Sequence, residues 1–145
     1  MPLHLIKLCV GAESIQDLEH WMAERFAEQR RRGQSPQNFH VTRMTPRRPR
    51  AEFEGGSLYW VIKGQIAARV PLLGFTPVTG DDGVRRCRLE LGLEVAPVRP
   101  RPMRAFQGWR YFADEDAPSD LATAGEEAML MPEEMRRELG RLGLM

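Results

Sequence analysis

The sequence predicts an α+β fold: a small, mostly antiparallel sheet or a partly closed β-barrel, with an early helix and a C-terminal helix. Three observations support this class. Residues 56–70 form the longest β-prone run and are largely apolar on both sides, which is typical of a central strand. Residues 86–95 alternate between apolar and charged side chains, as a half-buried strand does. Apolar residues at helical spacing follow Ser14 and Pro132.

The remaining elements follow from local signals. A first helix is expected to begin at Ser14, with Asp17 completing a capping box, and to end at Gly33. Gly64 predicts a bulge, a sharp bend or a close backbone approach in the central run, and Pro71 is expected to end that run. Asp82-Gly83 predicts a hairpin turn. Further strands are expected at residues 3–10, 38–44 and 106–112, and residues 72–78 are expected to form a shorter strand or a turn.

The length of 145 residues corresponds to a single domain over residues 1–145, with an acidic flexible segment at 113–127. A chain of this size can fold without metal or disulfide support. The N-terminus lacks the pattern of a signal peptide, and no apolar run approaches the ~20 residues that cross a bilayer. Cys9 and Cys87 are expected to be free thiols. We therefore expect a cytoplasmic protein without membrane contact.

Charge is strongly segregated along the chain. Residues 1–29 hold two basic and five acidic side chains, a net charge of −3. Residues 30–110 hold sixteen basic and six acidic side chains, a net charge of +10. Residues 111–145 hold three basic and nine acidic side chains, a net charge of −6. The basic middle would attract phosphate, unless the acidic ends fold over it and neutralise it.

The sequence contains no strong catalytic or cofactor motif. There is no Cys-x-x-Cys pair, and His4, His20 and His40 are scattered, so no metal site is predicted. Dinucleotide-binding, Walker and nucleophile-elbow patterns are also missing, so no cofactor is predicted. A catalytic activity is therefore less expected than a binding function.

A mixture of basic and aromatic residues gives the leading functional hypothesis, a non-catalytic module that binds RNA or another phosphate-bearing ligand. Arginine holds phosphate bidentately, and aromatic rings stack on bases. The alternative for the aromatics is a place in the core. The predicted ligand-binding residues are Arg43, Arg48, Tyr59, Lys63, Arg69, Arg101, Trp109 and Arg110. If their charges converge on one concave patch, the acidic tail would either leave that patch open or cover it.

Two other functions stay open at this point. A small hydrolase or nuclease acting on a nucleotide would use Lys63 to stabilise negative charge and His40 as acid or base. A protein-interaction subunit would use the methionine-rich C-terminal helix that starts after Pro132 to bind a partner. That helix could equally pack on its own sheet.

Several strings in the sequence are specific enough to indicate a family. They include PLHLIKLCVG, HVTRMTPRR, GGSLYWVIKG, RAFQGWRY and MPEEMRRELGRLGL. With these strings the chain resembles, from Pro2 to Leu144, a family of uncharacterised proteins found chiefly in alphaproteobacteria. The resemblance implies a cytoplasmic single-domain protein and no particular activity. A more distant likeness is to RNA-binding barrels of the PUA and ASCH type, through Lys63-Gly64 followed by Arg69. The ASCH motif itself is not met, because Ile66 and Arg69 stand where it has lysine and glutamate.

Overall fold

A seven-stranded mixed sheet organises the structure, a computed structural model that describes residues 2–121. One helix, α1 (Ile15–Arg31), and two short 3₁₀ turns, Arg50–Phe53 and Asp114–Asp116, accompany the sheet in these residues. The α+β class is thus confirmed, whereas the predicted C-terminal helix lies outside the described residues. The strands are β1 (Leu3–Leu8), β2 (Asn38–Thr42), β3 (Ser57–Ile62), β4 (Gln65–Thr79), β5 (Arg85–Leu91), β6 (Ala96–Pro102) and β7 (Trp109–Ala113).

The strands lie in the order β2-β5-β4-β3-β1-β7, and β6 pairs with β4 off this path. Antiparallel pairing dominates, as predicted, because β1 with β3 is the single parallel pair among the described strands. The connection between these two parallel strands contains α1 and β2. The sheet is open, with β2 and β7 at its two ends, so the partly closed barrel is not formed.

The central run is two strands and not one. Lys63 and Gly64 both have positive φ, 49° and 75°, and Ile62 pairs with Gln65. A two-residue loop with two positive φ angles is the type I′ turn that suits the twist of a hairpin. The expected sharp bend at Gly64 is therefore a complete reversal of the chain.

The prediction that Pro71 ends a strand was wrong, since β4 continues to Thr79. A proline has no backbone N–H to donate to a neighbouring strand, but the pairing of β4 with its neighbours does not require one at Pro71. Ser57, the partner of Pro71, is the first residue of β3, and the pairing of β4 with β5 begins at Leu72. The Pro71 carbonyl still accepts a hydrogen bond of 2.8 Å from the Gly92 N–H.

Each face of the sheet has its own core. Helix α1, whose first turn is capped by Ser14 accepting from the Asp17 N–H, covers one face with Leu18 and Met22. That face presents Leu5, Leu58 and Trp60 among others. The opposite face is covered by the chain from Val98 onward, and its core consists of Ile6, Tyr59, Val61, Ile66, Val98, Phe106 and Phe112. We call the face that α1 covers the helix face, and the opposite face the tail face.

The acidic segment after β7 lies against the tail face as far as Leu121. The Asp114 carboxylate accepts a hydrogen bond of 2.7 Å from His4 Nε2, and Asp120 forms a bridge with Val98. The His4 ring is buried, and its Nδ1 accepts from the Ser57 N–H at 2.9 Å. The flexibility expected for 113–127 stays a prediction, and residues 122–127 lie outside the described part of the chain.

Candidate functional site

A cleft forms where the loop after β2 meets the edge strand β7. Two aromatic side chains of β7 fasten the loop. Trp109 Nε1–H donates to the Met44 carbonyl at 2.8 Å, and the Arg47 N–H donates to the Tyr111 hydroxyl at 2.8 Å. The cleft has a volume of about 660 Å³. Its lining consists of residues 43–47 and 109–111, and we call it the β7 cleft.

Three arginines line the β7 cleft: Arg43, Arg47 and Arg110. All three are exposed, and no carboxylate within residues 2–121 forms an ion pair with any of them. Arg110 pairs with Ile6 and therefore points to the tail face, where its guanidinium lies 4.6 Å from the centre of the Phe106 ring in a cation–π contact. Guanidinium groups without an internal counterion are the groups that a phosphate can engage bidentately.

The aromatic residues of the predicted site are less accessible than a stacking role requires. Trp109 is 5% exposed and Tyr59 is 4% exposed. Tyr59 packs edge-on against His4 and Phe112, and burial raises the pKa of its hydroxyl. Tyr111, which is 40% exposed at the cleft, offers the accessible ring.

Two of the predicted basic residues, Arg48 and Lys63, lie on the exposed surface, each beside a different carboxylate. The Arg48 guanidinium donates to both carboxylate oxygens of Glu52, at 2.7 and 3.1 Å, and this contact raises the pKa of Arg48. Lys63 projects from the hairpin turn, with Nζ 3.8 Å from the Glu13 carboxylate. Neither residue lines the β7 cleft.

Arg69 and Arg101 bind the acidic segment on the tail face. Arg69 donates from Nε and Nη2 to the two oxygens of Asp120, at 2.7 Å each, and from Nη1 to Ser57 Oγ at 2.8 Å. Arg101 donates to the Asp116 carbonyl. The predicted site residues thus divide: Arg43, Trp109 and Arg110 line the β7 cleft, while Arg48, Tyr59, Lys63, Arg69 and Arg101 lie elsewhere.

His40 lies in a second cavity, of about 270 Å³, between α1 and the helix face of the sheet. Lys63 does not line this cavity, whereas Lys7 does. The hydrolase hypothesis, which paired His40 with Lys63, stays a prediction. The protein-interaction hypothesis rests on the C-terminal helix, which lies outside the described residues.

Sequence reasoning missed Arg47 and Tyr111 as members of the site. A signal for Tyr111 was present, since it stands two residues after Trp109 on a strand and so shares its face. A local signal separates Arg47 from Arg48: Glu52 stands four residues after Arg48 and forms an ion pair with its guanidinium, whereas Ala51 stands four residues after Arg47.

Within residues 2–121 no group of three or more His, Cys, Asp or Glu side chains is arranged to hold a metal ion. In the same residues no helix combines the length and the apolar character that spanning a membrane requires.

These features define an α+β protein with an open mixed sheet and a basic cleft at one edge strand. A family model described as protein of unknown function (DUF1489) matches residues 5–145, and the chain belongs to that family. A search of curated proteins and a search of solved structures gave no match. The family resemblance noted in the sequence is thereby confirmed, and the likeness to PUA and ASCH barrels stays unconfirmed.

Proposed function

We propose that the protein is a non-catalytic module that binds single-stranded nucleic acid, RNA or DNA, along the β7 cleft. The observation that carries the proposal is that Arg43 and Arg47 line this cleft beside the exposed Tyr111, with Arg110 on the other face of the same edge strand. None of these arginines has an ion-pair partner in residues 2–121. They come from two stretches of chain more than sixty residues apart, so local sequence pattern does not explain the cluster.

The chemistry of the cleft suits a phosphate backbone with a stacked base. The Arg43 and Arg47 guanidinium groups can hold a phosphate beside Tyr111, and the Arg110 guanidinium can hold a further phosphate on the tail-face side of β7. The Tyr111 ring can stack on a base of any identity. Base stacking on an aromatic side chain is worth about 1–3 kcal/mol per base. The cleft lining contains no His, Cys, Asp, Glu or Lys side chain, which supports binding without acid–base catalysis.

The test is a fluorescence anisotropy titration with labelled mixed-sequence RNA and single-stranded DNA, at ~50 mM salt and at several higher concentrations. The wild-type protein is expected to bind both, with affinity that falls steeply as salt increases. The triple variant Arg43→Gln, Arg47→Gln, Arg110→Gln removes three phosphate contacts. It should bind more than about tenfold more weakly, and its log–log salt slope should be less steep by about 2.

The matched control changes the same net charge at three exposed arginines that have no described ion pair and lie outside the cleft: Arg30→Gln, Arg85→Gln and Arg99→Gln. This variant should bind nearly as well as the wild type. An equal loss of affinity in both triple variants would show that overall charge alone determines binding, and it would contradict a defined site. Absence of any binding at ~50 mM salt with micromolar protein would refute the proposal outright.

A further inference from the structure

A second cavity, distinct from the β7 cleft, lies between α1 and the helix face of the sheet. Its volume is about 270 Å³, near the lower end of the range for small-molecule sites. The walls are mostly apolar and include Met22 of α1, Trp60 of β3 and the half-exposed Trp21. Trp21 packs close over Gly11, where an added Cβ would stand 3.3 Å from the ring. We call this the helix-face cavity.

Three polar side chains without a carboxylate partner meet in this cavity. Lys7 takes the β1 position that pairs with Trp60, so it points to the helix face among apolar neighbours. His40 reaches the cavity from β2, with its ring edge-on to Trp60 at 5.4 Å. Arg25 stands on α1 and donates to the Phe39 carbonyl at 3.1 Å. Within residues 2–121, no hydrogen bond or ion pair engages the Lys7 amine or the His40 ring nitrogens.

The electrostatic environment of the cavity is positive. Burial lowers the pKa of Lys7, and burial together with the Lys7 and Arg25 charges lowers the pKa of His40 to about 4. Burial also raises the pKa of the Cys9 thiol to about 11, so that thiol stays neutral. The lining of the cavity thus includes two basic side chains, an imidazole that is neutral at neutral pH, and no carboxylate. Burial disfavours the charged forms of Lys7 and His40, and an anion placed beside them would stabilise those charged forms.

We propose that the helix-face cavity binds a small organic carboxylate with an apolar body. The Lys7 ammonium and the Arg25 guanidinium would hold the carboxylate, and the His40 imidazole would supply a further hydrogen bond. The body of the ligand would lie against Trp21, Met22 and Trp60. An inorganic phosphate fits less well, because most of the wall is apolar and would gain nothing from a fully polar ion. The geometry matches the usual small-molecule site, an apolar pocket with a few convergent polar groups.

The experiment is a titration of the ¹⁵N-labelled full chain near neutral pH with acetate, isovalerate, benzoate and phenylacetate, each to about 20 mM, followed by amide chemical shifts. Phenylacetamide serves as the neutral counterpart of phenylacetate. We expect saturable shifts confined to residues 7–10, 18–25 and 38–40, strongest for a carboxylate with a ring or branched body. Phenylacetamide should bind at least tenfold more weakly.

Lys7→Met keeps the apolar stem and removes the charge, and it should weaken carboxylate binding at least tenfold. Lys63→Met is the matched control, because it removes the other lysine of the chain outside the cavity, and it should leave binding unchanged. If Lys7→Met fails to fold, Arg25→Gln on the exposed helix surface provides the same test. The proposal is overturned if no carboxylate of the series causes saturable shifts, if the amide binds equally well, or if loss of the Lys7 or Arg25 charge leaves the affinity intact.

Discussion

Replacing Arg69 with methionine should destabilise the protein, because this side chain holds the acidic segment to the tail face. Arg69→Met removes two charge-assisted hydrogen bonds to Asp120 and one to the Ser57 hydroxyl. The contact raises the pKa of Arg69 and lowers the pKa of Asp120, as expected for a pair that favours both charged forms.

The magnitude follows from the burial of the three groups. Ser57 is 1% exposed, and a hydroxyl left without its partner there costs about 1–3 kcal/mol. Breaking a fully buried ion pair costs about 3–5 kcal/mol, but the side chains of Arg69 and Asp120 are 29% and 25% exposed, which reduces that cost. We expect a loss of about 2–3 kcal/mol in the free energy of unfolding, or about 6–10 °C in Tm.

The assay is urea unfolding followed by tryptophan fluorescence, since Trp60 and Trp109 are buried and should report on unfolding. The single variant Asp120→Asn and the double variant Arg69→Met, Asp120→Asn complete a double-mutant cycle. This cycle isolates the coupling free energy between the two side chains. Arg99→Met is the control, because Arg99 is exposed on the adjacent strand β6 and should change stability by less than about 0.5 kcal/mol. An Arg69→Met variant as stable as this control, or a coupling below about 0.5 kcal/mol, would refute the reasoning.

Three further predictions concern single positions. The pKa of His40 falls from its ordinary 6.5 to about 4 in the folded protein, so the unfolded chain binds the proton first. Stability should therefore drop by about 2–3 kcal/mol as pH falls from 6.5 to 4, and His40→Phe should flatten this part of a denaturation–pH profile; an unchanged slope would contradict it. Trp109→Phe removes the hydrogen bond to the Met44 carbonyl and should lower the free energy of unfolding, measured with urea, by about 1 kcal/mol. An unchanged free energy of unfolding would mean that this hydrogen bond does not hold the loop. Lys63→Asn should stabilise the type I′ turn by about 0.5 kcal/mol in the same assay, because asparagine adopts positive φ more readily than lysine; destabilisation would contradict this account.

Much of the fold could be predicted because the signals are local. The Ser14 cap, the helix after it and the alternation of β5 each depend on residues a few positions apart. The cap and the helix are found where the pattern indicated, whereas β5 ends at Leu91 instead of residue 95, and Leu93 is exposed. The central run was misread for the same reason. Alternation continues on both sides of Lys63-Gly64, and lysine is not a usual residue for positive φ, so no local signal marked a hairpin.

The site was harder to predict because its contacts join distant parts of the chain. Trp109 and Met44 are 65 residues apart, and their hydrogen bond forms only when β7 has reached the edge of the sheet. Charge pattern identified Arg43 and Arg110 but could not separate them from Arg69, which is equally basic and is bound by Asp120. Whether an arginine has an internal counterion depends on tertiary structure, and sequence alone does not contain that information.

The position of β1 inside the sheet has a consequence for the order of folding. β1 precedes both of its neighbours along the chain, and it pairs on one side with β3 and on the other with β7, so that Leu3 lies opposite Ala113. The pairing of β1 with β7 requires the chain to close a loop that spans most of the described residues. Such non-local pairing slows folding. One edge of β1 should thus stay unpaired until β7 has been synthesised. During that interval the edge is open to other strands, and a chaperone that shields it would prevent wrong pairing.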